Sequence, residues 1–187
     1  MATRVALVRV LVAGVLLAAT VGPLIGQDNA PVRNRPLMAL IDSFLQHPFN
    51  EDLRVGLFDS ANARPDVTVN ITGSVTPFLC YADTASIVRA LDALLLTAFV
   101  AGDMREQLRM GRDTDQPEAG IRAVLNVYQI IQSRVPNYRV PEVDQWREAQ
   151  ASSRLSAVAD SLGAHSGDCK PKAARYPPGA ALGTPRP

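Results

Sequence analysis

Apolar positions recur at helical spacing over most of this chain. In residues 34–47, NRPLMALIDSFLQH, the side chains of Leu37, Leu40, Ile41, Phe44 and Leu45 stand at i, i+3, i+4, i+7 and i+8, which is one face of a helix. Asn34 is the expected N-cap, Pro36 suits a first turn where its missing N–H costs nothing, and Pro48 ends the helix. Residues 85–101, ASIVRALDALLLTAFVA, set Ile87, Val88, Leu91, Leu94, Leu95, Ala98 and Phe99 on a broad apolar face. Asp83 or Thr84 is the expected cap of this central helix and Gly102 its stop. A short helix from Asp103 follows, then a longer one ending before Pro136 with Ile121, Val124, Leu125, Tyr128 and Ile131 inward. Asp115, three residues before Glu118, reads there as a capping box, with Pro117 in the first turn. The last helix, 140–163, is more polar; Val143, Trp146, Leu155, Val158 and Leu162 face inward and Gly163 stops it.

Between 50 and 76 the period changes. In DVTVNIT, Val67, Val69 and Ile71 alternate with Thr68, Asn70 and Thr72, the pattern of a strand. LRVGLF, 53–58, is a weaker partner reached through DSANARP, so a small hairpin around 53–72 is predicted. A lone hairpin is marginal in water and must lie on the helices. The expected fold is therefore mainly α: a small bundle of about four main helices with a minor β-hairpin, spanning 27–163 and following an N-terminal signal segment.

AFVAGDMREQL followed by VLNVYQIIQSRVPN resembles the helix, Gly-Asp turn, helix cadence of tetratricopeptide repeats. RMGRDTDQPEAG interrupts the spacing and no second copy occurs, whereas about three repeats are needed for such a fold to stand.

The two ends differ from the middle. MATRVALVR carries Arg4 and Arg9 with no acid, and VLVAGVLLAATVGPLIG continues as an unbroken apolar run. Basic start, apolar run and small residue in that order read as a secretory signal. Cleavage after Gly26 would leave 161 residues, enough for one core. Leu24 occupies a position where a small residue is preferred, so the alternative is an anchor of residues 10–26 left in the membrane. The expected location is periplasmic or extracellular. Residues 164–187 are rich in Pro and Gly without an apolar period, and are predicted to form a disordered tail.

Charge narrows the partners. Lys+Arg number 19 against 18 Asp+Glu, interspersed, for a net charge of +1, so there is no basic excess to hold nucleic acid. Membrane contact is expected only through an uncleaved N-terminal segment.

Candidate chemistry begins with Cys80 and Cys169, the only cysteines. An exported chain lets two thiols pair and stay paired, so a disulfide is predicted; a free buried thiol and a Cys80 nucleophile are the alternatives. A nucleophile needs a base, and the chain offers only His47 and His165. These are too far apart in sequence to form a recognisable ligand set, and no metal or cofactor is predicted. His47 reads as a helix-end residue. Asp103, Glu106, Asp113, Asp115 and Glu118 gather in one stretch but lack the spacing of a calcium loop. No Gly-x-Ser-x-Gly elbow or phosphate loop occurs, and no catalytic residue is assigned. The expected function is binding of a protein or small-molecule partner by an exported, non-catalytic domain, with the outer side of the last helix and Trp146 as candidate surface. The alternatives are a small secreted enzyme using Cys80 or an acid such as Asp83, and a membrane-tethered accessory protein.

Overall fold

The computed structural model of the chain describes residues 30–64, 67–163, 170–176 and 182. The proposed signal segment, Cys169, His165 and most of the tail lie outside them. The fold is mainly helical, with α1 Ala30–Gln46, α2 Glu51–Asn62, a 3₁₀ turn Pro77–Cys80, α3 Ser86–Met110, α4 Pro117–Arg134, α5 Pro141–Ala151 and α6 Leu155–Gly163. No helix among these residues is long and apolar enough to cross a membrane.

The core follows the predicted faces. Ile41 and Phe44 of α1, Leu95 and Phe99 of α3, and Ile121, Val124 and Ile131 of α4 are fully buried. Ile87 is the exception, left 42% exposed at the start of α3. Asn34 is inside α1, not at its cap, and its Oδ1 accepts from Arg64 Nη2 at 2.8 Å.

Gly102 does not stop the central helix. α3 runs through it to Met110, and the stop is Gly111, whose φ of 62° supplies the left-handed cap. The helix, turn, helix cadence at 102–103 is thus one continuous helix. Gly102 instead marks where α3 and α4 touch: a Cβ there would lie 2.5 Å from both Ala119 O and Ala123 Cβ. Helix backbone cannot yield as a side-chain tip does, so Gly102→Ala is expected to push the helices apart and cost about 1–3 kcal/mol by overpacking. Urea unfolding checks this, and a stability equal to wild type would refute the close approach.

The predicted hairpin is replaced by different structure. LRVGLF lies within α2, where Asn50 Oδ1 accepts from Asp52 N and Leu53 N as a true N-cap. Helix wins there because Leu57 enters the core and Leu53 packs against it, a helical i, i+4 pair that the short apolar run did not reveal. No strand is formed among the described residues. Residues 67–72 are irregular, yet Thr68 is held as if by a neighbouring strand: its N–H donates to Gln107 Oε1 at 3.1 Å and its carbonyl accepts from Gln107 Nε2. One carboxamide on α3 substitutes for the missing strand.

The capping box at α4 does not form, because Asp115 accepts from Asn70 N at 3.0 Å and Asn70 Nδ2 at 3.2 Å. Asp103 on α3 takes up the helix start instead, accepting from Gln116 N at 3.0 Å. The last helix is split into α5 and α6. Ser152 Oγ donates to Glu148 O at 2.9 Å and Ser153 adopts φ 56°, so the serines draw the backbone out of the helix.

Candidate functional site

The most densely bonded polar cluster lies where the chain returns after α6. Lys172 N donates to Cys80 O at 2.8 Å and Ala82 N to Lys172 O at 3.1 Å, an isolated parallel bridge between Tyr81 and Lys172. This short pairing sets the register that inserts Arg175 between Asp83 and Asp92. Described parts of the predicted disordered tail are therefore packed: Leu182 is in the core cluster and the Arg175 side chain is only 5% exposed. A reading of apolar period misses this because a single charged side chain, not an apolar face, docks the segment.

Arg175 Nε lies 2.7 Å from Asp83 Oδ2, and Nη2 donates to Asp92 Oδ1 and Oδ2 at 2.8 and 2.6 Å. Backbone N–H groups of Arg175 and Tyr176 donate to Asp83 Oδ1 at 2.9 and 3.2 Å. Tyr138 OH completes the cluster, donating to Asp92 Oδ1 at 2.5 Å. The guanidinium carbon stands 4.6, 5.6 and 5.8 Å from the ring centroids of Tyr81, Tyr138 and Tyr176, positions where the negative ring faces attract a cation. Asp83 and Asp92 side chains are 2% and 8% exposed. Buried charges of this kind persist only when paired and hydrogen-bonded.

The electrostatics follow from that burial. Burial pushes the Asp92 carboxyl above the usual range against the opposing pull of Arg175 and Tyr138. Tyr138 is raised well above an ordinary phenol, by burial first and then by Asp92. Burial alone would lower Arg175, but its carboxylate and tyrosine neighbours raise it, so the guanidinium stays charged. At the rim Lys172 is ion-paired to Glu142, and Tyr81 OH donates to both Glu142 oxygens at 2.9 Å. Burial opposes ionisation of Glu142, but Lys172, the backbone and Tyr81 outweigh it and lower its carboxyl. Burial and then Glu142 push the Tyr81 phenol up to about 12.

Such an arrangement holds charge in place and leaves little for chemistry. A base must be reachable by the proton it takes; Asp83 and Asp92 are buried and each already accepts three hydrogen bonds, from Arg175 with backbone N–H groups and from Arg175 with Tyr138 respectively. Cys80, 7% exposed at the end of the 3₁₀ turn, has Sγ at 3.7 Å from Gly73 O and 3.9 Å from Thr76 O. Asp83 is thus close to Cys80 in sequence but turned to the cluster. His47 is exposed just beyond α1, its backbone N–H donating to Ser43 O at 2.9 Å. No group of three His, Cys, Asp or Glu placed for a metal ion is found among the described residues. Of the acidic stretch, Glu106 and Glu118 pair with Arg109 and Arg122, whereas Asp103 and Asp115 come together.

Trp146 is 4% exposed and belongs to the core cluster, so it is not an exposed anchor. It does line a cavity of about 320 Å³ with Pro77, Gln145, Val158 and Leu162. A neighbouring groove of about 420 Å³ between α5 and α6 shares Gln145, Val158 and Leu162 and adds Ala149, Arg154 and Ala157. Sequence reasoning missed Arg175, Asp92, Tyr138 and Lys172. The available signal was Asp92 inside the apolar face of the central helix, because a carboxylate at such a place demands a cation.

No family model, curated protein or solved structure matches this chain.

Proposed function

We propose that this is an exported, non-catalytic binding protein that meets its partner along the groove between α5 and α6. The observation that carries the reading is the commitment of the candidate reactive groups to holding the fold: Asp83 and Asp92 are both ion-paired to Arg175, and Cys80 is buried. The enzyme alternative centred on Cys80 or Asp83 loses support for the same reason. Export rests on the basic and apolar order of residues 1–26, and tethering through residues 10–26 is the form it takes if the segment is not cleaved.

A Cys80–Cys169 disulfide belongs to this proposal. Its support is the pairing of Lys172, three residues beyond Cys169, with the Cys80 backbone, together with the absence of a free cysteine among the described residues. The groove is favoured as the contact surface because the break at Ser152–Arg154 opens the two helices over Val158 and Leu162, which are only partly buried. Apolar floor with a polar rim is the composition of a binding cleft.

A photoreactive residue in place of Ala157, at the groove, should give a discrete crosslinked adduct in the producing cells. The same residue in place of Arg89, exposed on α3, should give none. Val158→Asp should abolish the Ala157 adduct while leaving the circular dichroism spectrum unchanged. Equal crosslinking from both positions would remove the groove from consideration.

A further inference from the structure

The carboxyl group of Asp103 is fully buried on α3, and its Oδ2 has no hydrogen-bond partner. Its other oxygen is saturated: Oδ1 accepts from Gln107 Nε2 at 2.6 Å and from Gln116 N at 3.0 Å. From its own helix Asp103 faces Gln107, from the turn before α4 it faces Asp115 and Gln116, and among these Asp115 is the titratable group. No ion pair of Asp103 or Asp115 with a basic side chain occurs among the described residues, so only the two hydrogen bonds to Oδ1 offset the burial of an ionised Asp103. Two of the neighbours of Asp103 hold the segment 67–72, Gln107 at Thr68 and Asp115 at Asn70.

We propose that a proton on Asp103, facing Asp115, latches the 67–72 segment onto the bundle, tight in acid and released toward neutral pH. A proton on Asp103 Oδ2 supplies the missing donor, pointing at the Asp115 carboxylate while Oδ1 continues to accept from Gln107 and Gln116. Loss of that proton sets the buried Asp103 carboxylate against the partly exposed Asp115 carboxylate beside it. The cheapest relief is movement of Asp115, which carries Asn70 with it, and of Gln107, which carries Thr68. Burial first and then Asp115 push the Asp103 carboxyl from 3.8 up to about 7.

The direction follows from linkage. Between the two values the latched state binds a proton that the open state does not, so the latch weakens as pH rises. It is fully present below about pH 4, falls about tenfold per pH unit, and is flat above about 7. The two backbone N–H groups of Thr68 and Asn70 report it directly, because they donate to Gln107 Oε1 and Asp115 Oδ1.

Hydrogen exchange of the full chain, corrected for the intrinsic pH dependence, is the test. Thr68 and Asn70 protection should drop at least tenfold from pH 5 to pH 7.5, while the core amides of α4 hold theirs. In Asp103→Asn, whose amide donates to Asp115 without titrating, the two amides should keep their protection across that range. PH-independent protection in wild type, or an unchanged loss in Asp103→Asn, overturns the latch. If Asp103→Asn does not fold, the wild-type Asp103 carboxyl carbon shift decides: a midpoint below 5 overturns the proposal and one near 7 upholds it. Calcium or magnesium that restored protection at pH 7.5 would show the pair to be a cation site and also overturn the proton latch.

Discussion

Arg175→Ala is expected to lower stability by about 3–5 kcal/mol at neutral pH, the cost of breaking a buried ion pair from one side. The guanidinium serves two carboxylates at once, through Nε to Asp83 and Nη2 to Asp92, so its removal leaves both charges in a site closed to water. Domains of this size have only about 5–15 kcal/mol in total. The loss is therefore readable in urea as a large fall in midpoint. Arg175→Lys should recover little, because an ammonium cannot present two donors to Asp83 and Asp92 in one plane.

The deficit should also depend on pH. In Arg175→Ala the unpaired carboxyls are easier to protonate in the folded state than in the unfolded one, so stability rises as pH falls toward their unfolded values. Wild type shares part of that gain at Asp92, which burial already raises, but Arg175 and Tyr138 pull against it and make it smaller than in the variant. The two curves should converge on acidification below about pH 5. Replacing all three charges together, as Arg175→Met with Asp83→Asn and Asp92→Asn, should cost less than Arg175→Ala alone, because nothing ionised is left buried. A single Arg175→Ala change within about 1 kcal/mol of wild type would mean that residues 170–176 do not dock as described.

This cluster shows where periodicity stops being informative. The helical faces of α1, α3 and α4 were legible because burying Ile41, Leu95 or Ile131 requires only an apolar side chain at the right turn of a helix. Alternation at 67–72 was legible as well, with Val67 and Val69 turned to the core and Ile71 left 50% exposed. Its partner was not, since the groups that bond Thr68 and Asn70 sit on α3 and in the turn before α4, 39 and 45 residues away. Gly102 carried the opposite error: a glycine in a helical pattern reads as a stop, whereas here the lack of a Cβ lets α4 approach. Arg175 sits 83 residues from Asp92 in a segment with no apolar pattern. A single long-range ion pair leaves no period in the sequence, only an acid at a buried helical position.

Loss of the proposed Cys80–Cys169 bond is expected to be the other large effect. Cysteines 89 residues apart close a loop worth about 4–5 kcal/mol in the chain-entropy model. Most of this acts by restricting the unfolded chain, so Cys80→Ser, Cys169→Ser and the double variant should fall by similar amounts, about 2–5 kcal/mol each. The bond would stand immediately before the residues that dock Arg175, and the two devices therefore hold one segment. Without the bond, release of 170–176 from Asp83 and Asp92 becomes a local event in place of a global one. Combining Cys169→Ser with Arg175→Ala should then cost less than the sum of the separate changes, because each removes part of the same docking. Intact mass with and without reductant, after alkylation of the native protein, reads the thiol state. A nucleophilic Cys80 would behave differently: Cys169→Ser would be nearly neutral, and Cys80 alone would alkylate in the folded, unreduced protein. That pattern would overturn the staple and return Cys80 to the list of reactive groups.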